Sequence, residues 1–346
     1  MITISVCMIV KNEAALLERC LSCVKPFADE IIIVDTGSTD ETKQIAAKFT
    51  NRIYDYKWIN NFADARNTSF SYATCDYIYM ADADEVIKPE EIQKIIRLKY
   101  VLDPSIDIVQ MYYDNQLQFN TTYNYDCELR PKLFKRVLKF VFHDPVHEVV
   151  SLSPVIWDSD IKITHKPTGN HSTRDFITFE KAIKQYGKLS PRLNSMYARE
   201  LFISGSDDDF KIALKYFDDN YENQTDMTVI RQFQCVIAKA AFIVNDTELF
   251  FKAVLKNLAT GKGSSEVCFM LGEHYEKLND FKEAAMWYYN SAFECKPELN
   301  IKYQGEFPYK KLIRLNEILG NQSEVQKYKG LLAQAQAQTP TKNSDS

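Results

Sequence analysis

The chain has 346 residues, of which 45% are hydrophobic and 26% charged, and its formal net charge at pH 7 is −5. This length gives room for two domains, and the composition is that of an ordinary soluble globular protein. The acidic balance argues against a nucleic-acid partner, which would call for a basic surface. Without an evident run of about 18 apolar residues or the features of a signal peptide, we expect a cytoplasmic protein with no membrane span.

The first half of the chain alternates between strand and helix patterns. Short β-branched apolar runs predict strands, and apolar residues at helical spacing predict the helices between them. This alternation is typical of an α/β domain with a mostly parallel, doubly wound sheet. The predicted strands lie at 2–10, 30–34, 52–56, 77–81, 107–113, 129–137 and 161–165, and the helices near 13–24, 40–48 and 62–73.

From about residue 175 only helical patterns follow, and an internal repeat appears. The segment from Leu271 to Pro297, with Gly272, Tyr275, Ala284 and Tyr288 between them, resembles the tetratricopeptide signature, and the pair Asn279-Asp280 repeats Asn245-Asp246 after 34 residues. An irregular helical bundle is the alternative. We therefore predict three regions, namely an α/β domain over 1–170, all-α helical repeats over 175–335, and a polar, disordered tail over 336–346.

The segment Asp82-Ala83-Asp84-Glu85 directly follows the predicted buried strand 77–81. Open α/β sheets bind their ligands at the carboxyl ends of the strands. Two carboxylates separated by one residue suit a hard divalent cation that also binds a diphosphate. The alternative is an acidic surface loop before the next helix.

Two more polar segments follow predicted strands at the same edge of the sheet, and a third lies on the predicted helix before the strand 77–81. Asn12 and Glu13 end the first strand, and Asp35 ends the second, before a glycine turn. A carboxylate there can accept a hydrogen bond from a base imide or a ribose hydroxyl, or it can simply close the turn. Arg66, in Ala65-Arg66-Asn67, lies on the first turns of a helix, where an arginine can bind a phosphate, stack on a base, or form an ordinary ion pair.

These four segments, in this order and spacing, resemble family 2 inverting glycosyltransferases over about residues 2–150. The resemblance implies a GT-A fold and the transfer of a sugar from a UDP-sugar donor with the help of Mn²⁺ or Mg²⁺. By the same resemblance, Glu13 and Asp35 contact uridine and Arg66 lies near the nucleotide. Asp82 then contacts the ribose or the metal, and Asp84 ligates the metal that bridges the diphosphate.

Inversion at the sugar requires a carboxylate that removes the proton from the attacking group. The candidate segment is 142–148, whose Val-His-Glu resembles a subset of the family that includes lipopolysaccharide-core transferases and sublancin-type peptide transferases. We predict Glu148 as the base with Asp144 second, and His147 as a metal ligand or a diphosphate contact. Each of these could instead lock a loop. Arg130, as a sugar or phosphate contact, and His165 are further candidates.

The acceptor is left open by the sequence. Helical repeats commonly bind peptides or dimerise, which favours a peptide or protein acceptor with a Ser/Thr hydroxyl or a Cys thiol, and a homodimer through 175–335. The alternatives are a cell-envelope or lipopolysaccharide-core glycosyltransferase and a non-catalytic scaffold with partner-binding repeats. A nucleotidyltransferase is disfavoured, since residues 2–13 contain no glycine for a phosphate-binding loop.

Overall fold

The structure is a computed structural model that describes residues 1–114, 127–150, 153–166, 172–259, 261 and 263–337, with the backbone alone at 172–175. The chain divides into two compact units, and the division falls after Gln185. This division is later than the expected junction at 170–175, because the helix that begins at Ser172 clusters with the first unit. The exact domain bounds stay a prediction.

The first unit is an α/β unit. Its helices are α1 (Leu17–Val24), α2 (Thr42–Ala47), α3 (Phe62–Ser71), α4 (Pro89–Val101) and α5 (Ser172–Tyr186). Its described strands are β1 (Ile4–Val10), β2 (Glu30–Asp35), β3 (Ile53–Asp55), β4 (Tyr77–Ala81), β5 (Glu85–Val86), β6 (Ile108–Asp114), β7 (Glu128–Lys135), β8 (Phe142–His143), β9 (Val149–Val150) and β10 (Ile156–His165).

The main sheet has the strand order β3-β2-β1-β4-β7-β6-β10-β5 in the described part of the chain. β1, β2, β3 and β4 are parallel, β7 runs antiparallel to both of its neighbours, and β10 is parallel to β6. Consequently β6 and β10 point the same way as β1 and β4. The carboxyl ends of β1, β2, β4, β6 and β10 therefore meet at one edge of the sheet, as the predicted, mostly parallel α/β class requires.

Apolar layers cover both faces of this sheet. On one face Leu17 and Leu21 of α1 and Ile95 of α4 pack against the strands, and on the other Phe70 of α3 packs edge-on against Phe134 of β7. The strands are apolar on both sides because both faces are buried. The cysteine pair at 20 and 23 lies on α1, where Cys20 is buried in the core and Cys23 is partly buried against it.

The second unit is all-α in its described residues. Its helices are α6 (Pro191–Ser204), α7 (Asp207–Asn220), α8 (Met227–Val244), α9 (Thr247–Ala259), α10 (Ser265–Lys277), α11 (Phe281–Tyr289), α12 (Glu306–Ile318) and α13 (Gln322–Ala337). α13 includes the first two residues of the predicted tail 336–346, and the boundary of the tail stays a prediction. The rest of the tail lies outside the described residues.

The repeated Asn-Asp pairs mark equivalent turns between helices. Asn245 and Asn279 have φ of 59° and 61°, a left-handed conformation that asparagine tolerates at the end of a helix. Asp246 and Asp280 then accept backbone N–H groups at the starts of α9 and α11. At Gly272 a Cβ atom would lie 2.6 Å from the Tyr288 ring. The tetratricopeptide-like helical repeats predicted for this region are thus confirmed.

One described helix, α8, is long and apolar enough to cross a membrane, with a mean hydropathy of 1.4 over its 18 residues. The sequence analysis missed this stretch. It is a weak indication of a membrane span, because 56% of the helix is buried inside the protein and the core helix of a soluble protein passes the same test.

Candidate active site

The polar residues predicted at the strand ends do lie at one edge of the sheet. In the register of the parallel strands Val10 of β1 lies beside Asp35 of β2, and Met8 lies beside Ala81 of β4. Glu13, Asp82 and Asp84 follow these strands within three residues, and His165 ends β10 at the same edge. This edge is where the sheet offers ligand contacts, since side chains from several strands converge there.

Asp35 closes the turn that follows β2. Its buried carboxylate accepts the backbone N–H groups of Gly37 at 3.2 Å and Ser38 at 3.0 Å. Gly37 has φ of 103°, which a residue with a side chain rarely adopts. Asn12, in the turn after β1, accepts the backbone N–H of Thr39 at 2.8 Å. The two turns next to Glu13 and Asp35 are therefore fixed to each other.

Asp82 lies between two cations. Its carboxylate is 3.4 Å from Nη2 of Arg66 and 3.7 Å from Nζ of Lys132. Burial acts to raise the pKa of Asp82, but the charges of Lys132, Arg66 and Arg130 outweigh it and hold the pKa well below its usual range. Asp82 is consequently an ionised carboxylate whose oxygens face positive charge.

Asp84 pairs with an imidazole. Its Oδ2 lies 3.1 Å from Nε2 of His165, and the ring of His165 packs against Tyr113 with 5.3 Å between ring centroids. The carbonyl of Asp84 also accepts the backbone N–H of Lys166 at 2.8 Å, and Arg19 donates to the carbonyl of Lys166 at 2.8 Å. The end of β10 is thereby fixed beside the aspartate pair.

The segment Ala65-Arg66-Asn67 links α3 to the region of the predicted base. Nε of Arg66 donates to Oε1 of Glu148 at 2.6 Å, so one guanidinium bridges Glu148 and Asp82. Burial acts to lower the pKa of Arg66, but the charges of Glu148 and Asp82 outweigh burial and hold the pKa above its usual value. Three residues predicted from the sequence as separate candidates therefore form one chain of charged contacts.

Asn67 has a role that the sequence analysis missed. Its side-chain amide donates to the carbonyl of Phe142 at 3.0 Å, and its side-chain oxygen accepts the N–H of Phe142 at 2.8 Å. This reciprocal pair fixes the strand that leads into the predicted base segment. The available signal was the position of Asn67 directly after Arg66, in a motif already quoted.

Residues 144–148, here called the site loop, connect β8 to β9. Asp144 and His147 both have positive φ, 74° and 51°, which carries a steric cost for residues with a Cβ atom. The carbonyl of Pro145 accepts the backbone N–H of Phe62 at the start of α3, at 2.9 Å. The loop that carries Glu148 is thus held by α3 at both of its ends.

Two further basic residues lie on β7. Arg130 stacks over the Tyr113 ring at 4.1 Å and donates to Glu128 at 2.5 Å. Lys132 forms a buried ion pair with Glu85 and donates to the carbonyl of Met80 at 3.1 Å. Lys132 was not predicted from the sequence as a site residue; its side chain is 1% exposed and its Nζ lies 3.7 Å from Asp82.

The donor set fits a divalent cation that is only partly ligated by protein. In the described residues there is no group of three or more His, Cys, Asp or Glu side chains placed to hold a metal. Asp84 and His165 together offer one carboxylate and one imidazole. Mg²⁺ and Mn²⁺ at nucleotide sites commonly take one or two protein ligands and complete their shell with phosphate oxygens and water.

Comparison with known proteins finds sequence relatives for the first unit. Residues 5–151 match the model of glycosyl transferase family 2. The chain is 32% identical to the SPbeta prophage-derived glycosyltransferase SunS of Bacillus subtilis over 65% of this chain and 55% of that protein. A TPR repeat-containing protein of Synechococcus elongatus is 46% identical over 25% of this chain and 21% of its own length.

The chain thus spans about a fifth to just over half of the length of these curated relatives. Among solved structures, glucosyl-3-phosphoglycerate synthase from Mycobacterium tuberculosis, in complex with Mn²⁺ and UDP, aligns with a TM-score of 0.39 and 15% identity, over 55% of this chain and 81% of that one. The matched residues 5–151 contain β1 to β4, the aspartate pair, Arg66 and Glu148. Residues 5–151, which make up most of the α/β unit, therefore match a glycosyl transferase family 2 domain.

Proposed function

We propose that this chain is a metal-dependent, inverting glycosyltransferase that moves a hexose or N-acetylhexosamine from a UDP-sugar to a peptide or protein. The observation that carries the proposal is the pairing of Asp84 with His165 beside the chain Asp82–Arg66–Glu148, at the ligand-binding edge of a family 2 domain. Asp84 and His165 offer metal ligands, whereas Arg66 offers a contact for an anion and Glu148 offers a carboxylate base.

We assign the metal to Asp84 rather than to Asp82. A cation at Asp82 would have to approach between Arg66 and Lys132, which already neutralise this carboxylate and repel a divalent ion. At Asp84 the neighbouring group is the imidazole of His165, which is itself a ligand when neutral. When bound, the metal acts as a Lewis acid that neutralises the charge of the leaving diphosphate.

Glu148 is the proposed base. Its Oε1 accepts from Arg66, which fixes the carboxylate, and its second oxygen is the one that would accept the proton from the acceptor. Asp144 is the second candidate, four residues earlier on the same loop. His147 as a metal or diphosphate ligand, and Arg130 as a sugar or phosphate contact, stay predictions.

The proposed contacts of uridine with Glu13 and Asp35 also stay predictions. The backbone N–H groups of Gly37 and Ser38 fix the carboxylate of Asp35, which suits a group that recognises a ligand. The turn that these hydrogen bonds close would face the uracil ring. A cytoplasmic location and a homodimer through the repeats are predictions as well. Light scattering of the full chain tests the dimer.

The peptide acceptor is supported by the helical repeats of the second unit, because stacked helix pairs expose surfaces that bind extended peptides. A thiol acceptor needs less help from a base than a hydroxyl does. Peptides that contain a single Ser, Thr or Cys, incubated with UDP-sugars and analysed by mass spectrometry, identify the nucleophile. Loss of transfer in Glu148→Gln with retained UDP binding would favour a hydroxyl.

Titration calorimetry of UDP with and without Mn²⁺ tests the donor half of the proposal. We expect binding that requires Mn²⁺ and that weakens at least about tenfold in Asp84→Ala and in His165→Ala, since even indirect disturbance of a metal ligand costs this much. Asp208→Ala is the matched control, because Asp208 is an 83% exposed aspartate of the second unit. Metal-independent binding, or equal binding by Asp84→Ala and Asp208→Ala, would contradict the assignment.

A further inference from the structure

Helix α5 lies beyond the residues that match the family model, yet it clusters with the α/β unit. Two of its side chains contact segments next to the site. The ring of Phe179 lies 5.9 Å from the His147 ring, with 39° between the ring planes, and Nζ of Lys181 donates to Oδ1 of Asn60 at 2.8 Å. Phe179 is completely buried, whereas Lys181 is exposed.

The two contacted segments are joined to each other. Asn60 directly precedes Asn61, which caps the first turn of α3, and the next residue, Phe62, donates its N–H to Pro145 in the site loop. His147 is two residues further along that loop. Helix α5 therefore touches the start of α3 on one side and the site loop on the other.

We propose that Phe179 is a positioning residue, which holds the site loop in the conformation that places Glu148 on Arg66. The inference rests on the proposed function and deepens it. His147 and Asn60 both have left-handed backbone, φ 51° and 60°, and this conformation persists only where the surrounding contacts favour it. The Phe179 ring supplies such a contact at His147, immediately before Glu148.

The consequence for catalysis follows from the loop's short length. Glu148 is adjacent to His147, so a relaxed His147 backbone displaces the carboxylate from Arg66. A displacement of about 1 Å of a reacting group costs as much as 100-fold in rate. The donor site is less affected, because Asp84 lies in the turn between β4 and β5 and His165 ends β10, both outside the site loop.

Phe179→Leu tests the role of the ring while keeping an apolar side chain in place. We expect faster backbone amide exchange at residues 142–150, a fall in kcat of about 10- to 100-fold, and UDP binding within twofold of the wild type. Phe27→Leu is the matched control, because Phe27 is an equally buried phenylalanine of the same unit that packs against Tyr79. It should lose similar thermal stability and keep both kcat and the exchange pattern.

Lys181→Met is a second variant that removes only the exposed bond to Asn60, and we expect a smaller fall in kcat with unchanged thermal stability. Unaltered exchange in Phe179→Leu, or an equal fall in kcat in Phe27→Leu, would overturn the inference. Amide exchange needs no substrate, so it reports on Phe179 even if the chain binds no UDP. Failure of the proposed function would instead appear as absent metal-dependent UDP binding in the wild type.

Discussion

The buried ion pair between Lys132 and Glu85 gives the sharpest prediction for the α/β unit. Both side chains are 1% exposed, and Nζ of Lys132 also donates to the Met80 carbonyl and lies 3.7 Å from Asp82. Burial raises the pKa of Glu85 to about 8 although Lys132 acts to lower it, so replacing Lys132 by Met leaves a buried Glu85 that must stay charged without its cation or take up a proton. Breaking a buried pair in this way costs up to about 3–5 kcal/mol of unfolding free energy.

The reverse substitution should cost less. In Glu85→Met, Lys132 keeps Asp82 and the Met80 carbonyl as partners, so we expect a loss of about 1–3 kcal/mol. Glu85 has no such second partner, since its Oε2 accepts no hydrogen bond among the described residues. The double variant Lys132→Met/Glu85→Met removes both charges and should lie within about 1 kcal/mol of the wild type, because apolar replacements of buried pairs are commonly neutral.

Urea unfolding followed by tryptophan fluorescence measures these differences. Of the three tryptophans, Trp58 and Trp157 lie in the α/β unit and Trp287 in the second, so a Trp287→Phe background restricts the signal to the first unit. Lys43→Met, at a half-exposed lysine, is the control and should leave the urea midpoint nearly unchanged. A cost of Lys132→Met no larger than that of the control, or a double variant no more stable than Lys132→Met, would refute the reasoning.

Three further predictions concern packing, pH and the motif of α3. Gly272→Ala should destabilise the second unit by about 1–3 kcal/mol in urea unfolding, because the new Cβ meets the Tyr288 ring, whereas Gly330→Ala, with open space around it, should stabilise by up to about 1 kcal/mol. Burial and the nearby Lys277 lower the pKa of His274, so the folded state favours the neutral imidazole. The protein should therefore lose stability as the pH falls below about 6.5, where the unfolded chain takes up the proton first. The thermal midpoint should therefore fall more between pH 7 and pH 5 in the wild type than in His274→Phe. Asn67→Ala should cost about 1–3 kcal/mol, since it leaves two buried backbone groups unpaired, and an unchanged urea midpoint would contradict this.

Much of the fold could be predicted from the sequence because its strands are short, apolar runs separated by helices. Buried parallel strands have this pattern whatever their order in the sheet. No local pattern in the sequence encodes the order of the strands in the sheet. Without that order, the residues that meet at the site could not all be predicted. The pairing of β10 with β5 brings His165 to Asp84 from 81 residues away, so His165 could be named only as a further candidate.

The contacts that hold the site were hidden for the same reason. Asn67 is visible in a quoted motif, but the backbone that it binds lies 75 residues later. Lys132 lies on a strand whose apolar neighbours predict a buried position, and an ammonium is expected there only if a carboxylate is known to face it. Helix α8 was missed as an apolar stretch because Arg231 and Lys239 interrupt it.

Arg66 and Asn67 follow each other near the start of α3, and each contacts a different segment of the site. Arg66 bridges Asp82 at the sheet edge to Glu148 in the site loop, Asn67 fixes the strand before that loop, and the N–H of Phe62 fixes Pro145 within it. All three contacts start from about one and a half turns of one rigid helix. The start of α3 is consequently held both to Asp82 at the sheet edge and to the site loop that carries the proposed base. Such pre-organisation is what a transfer between two bound substrates requires.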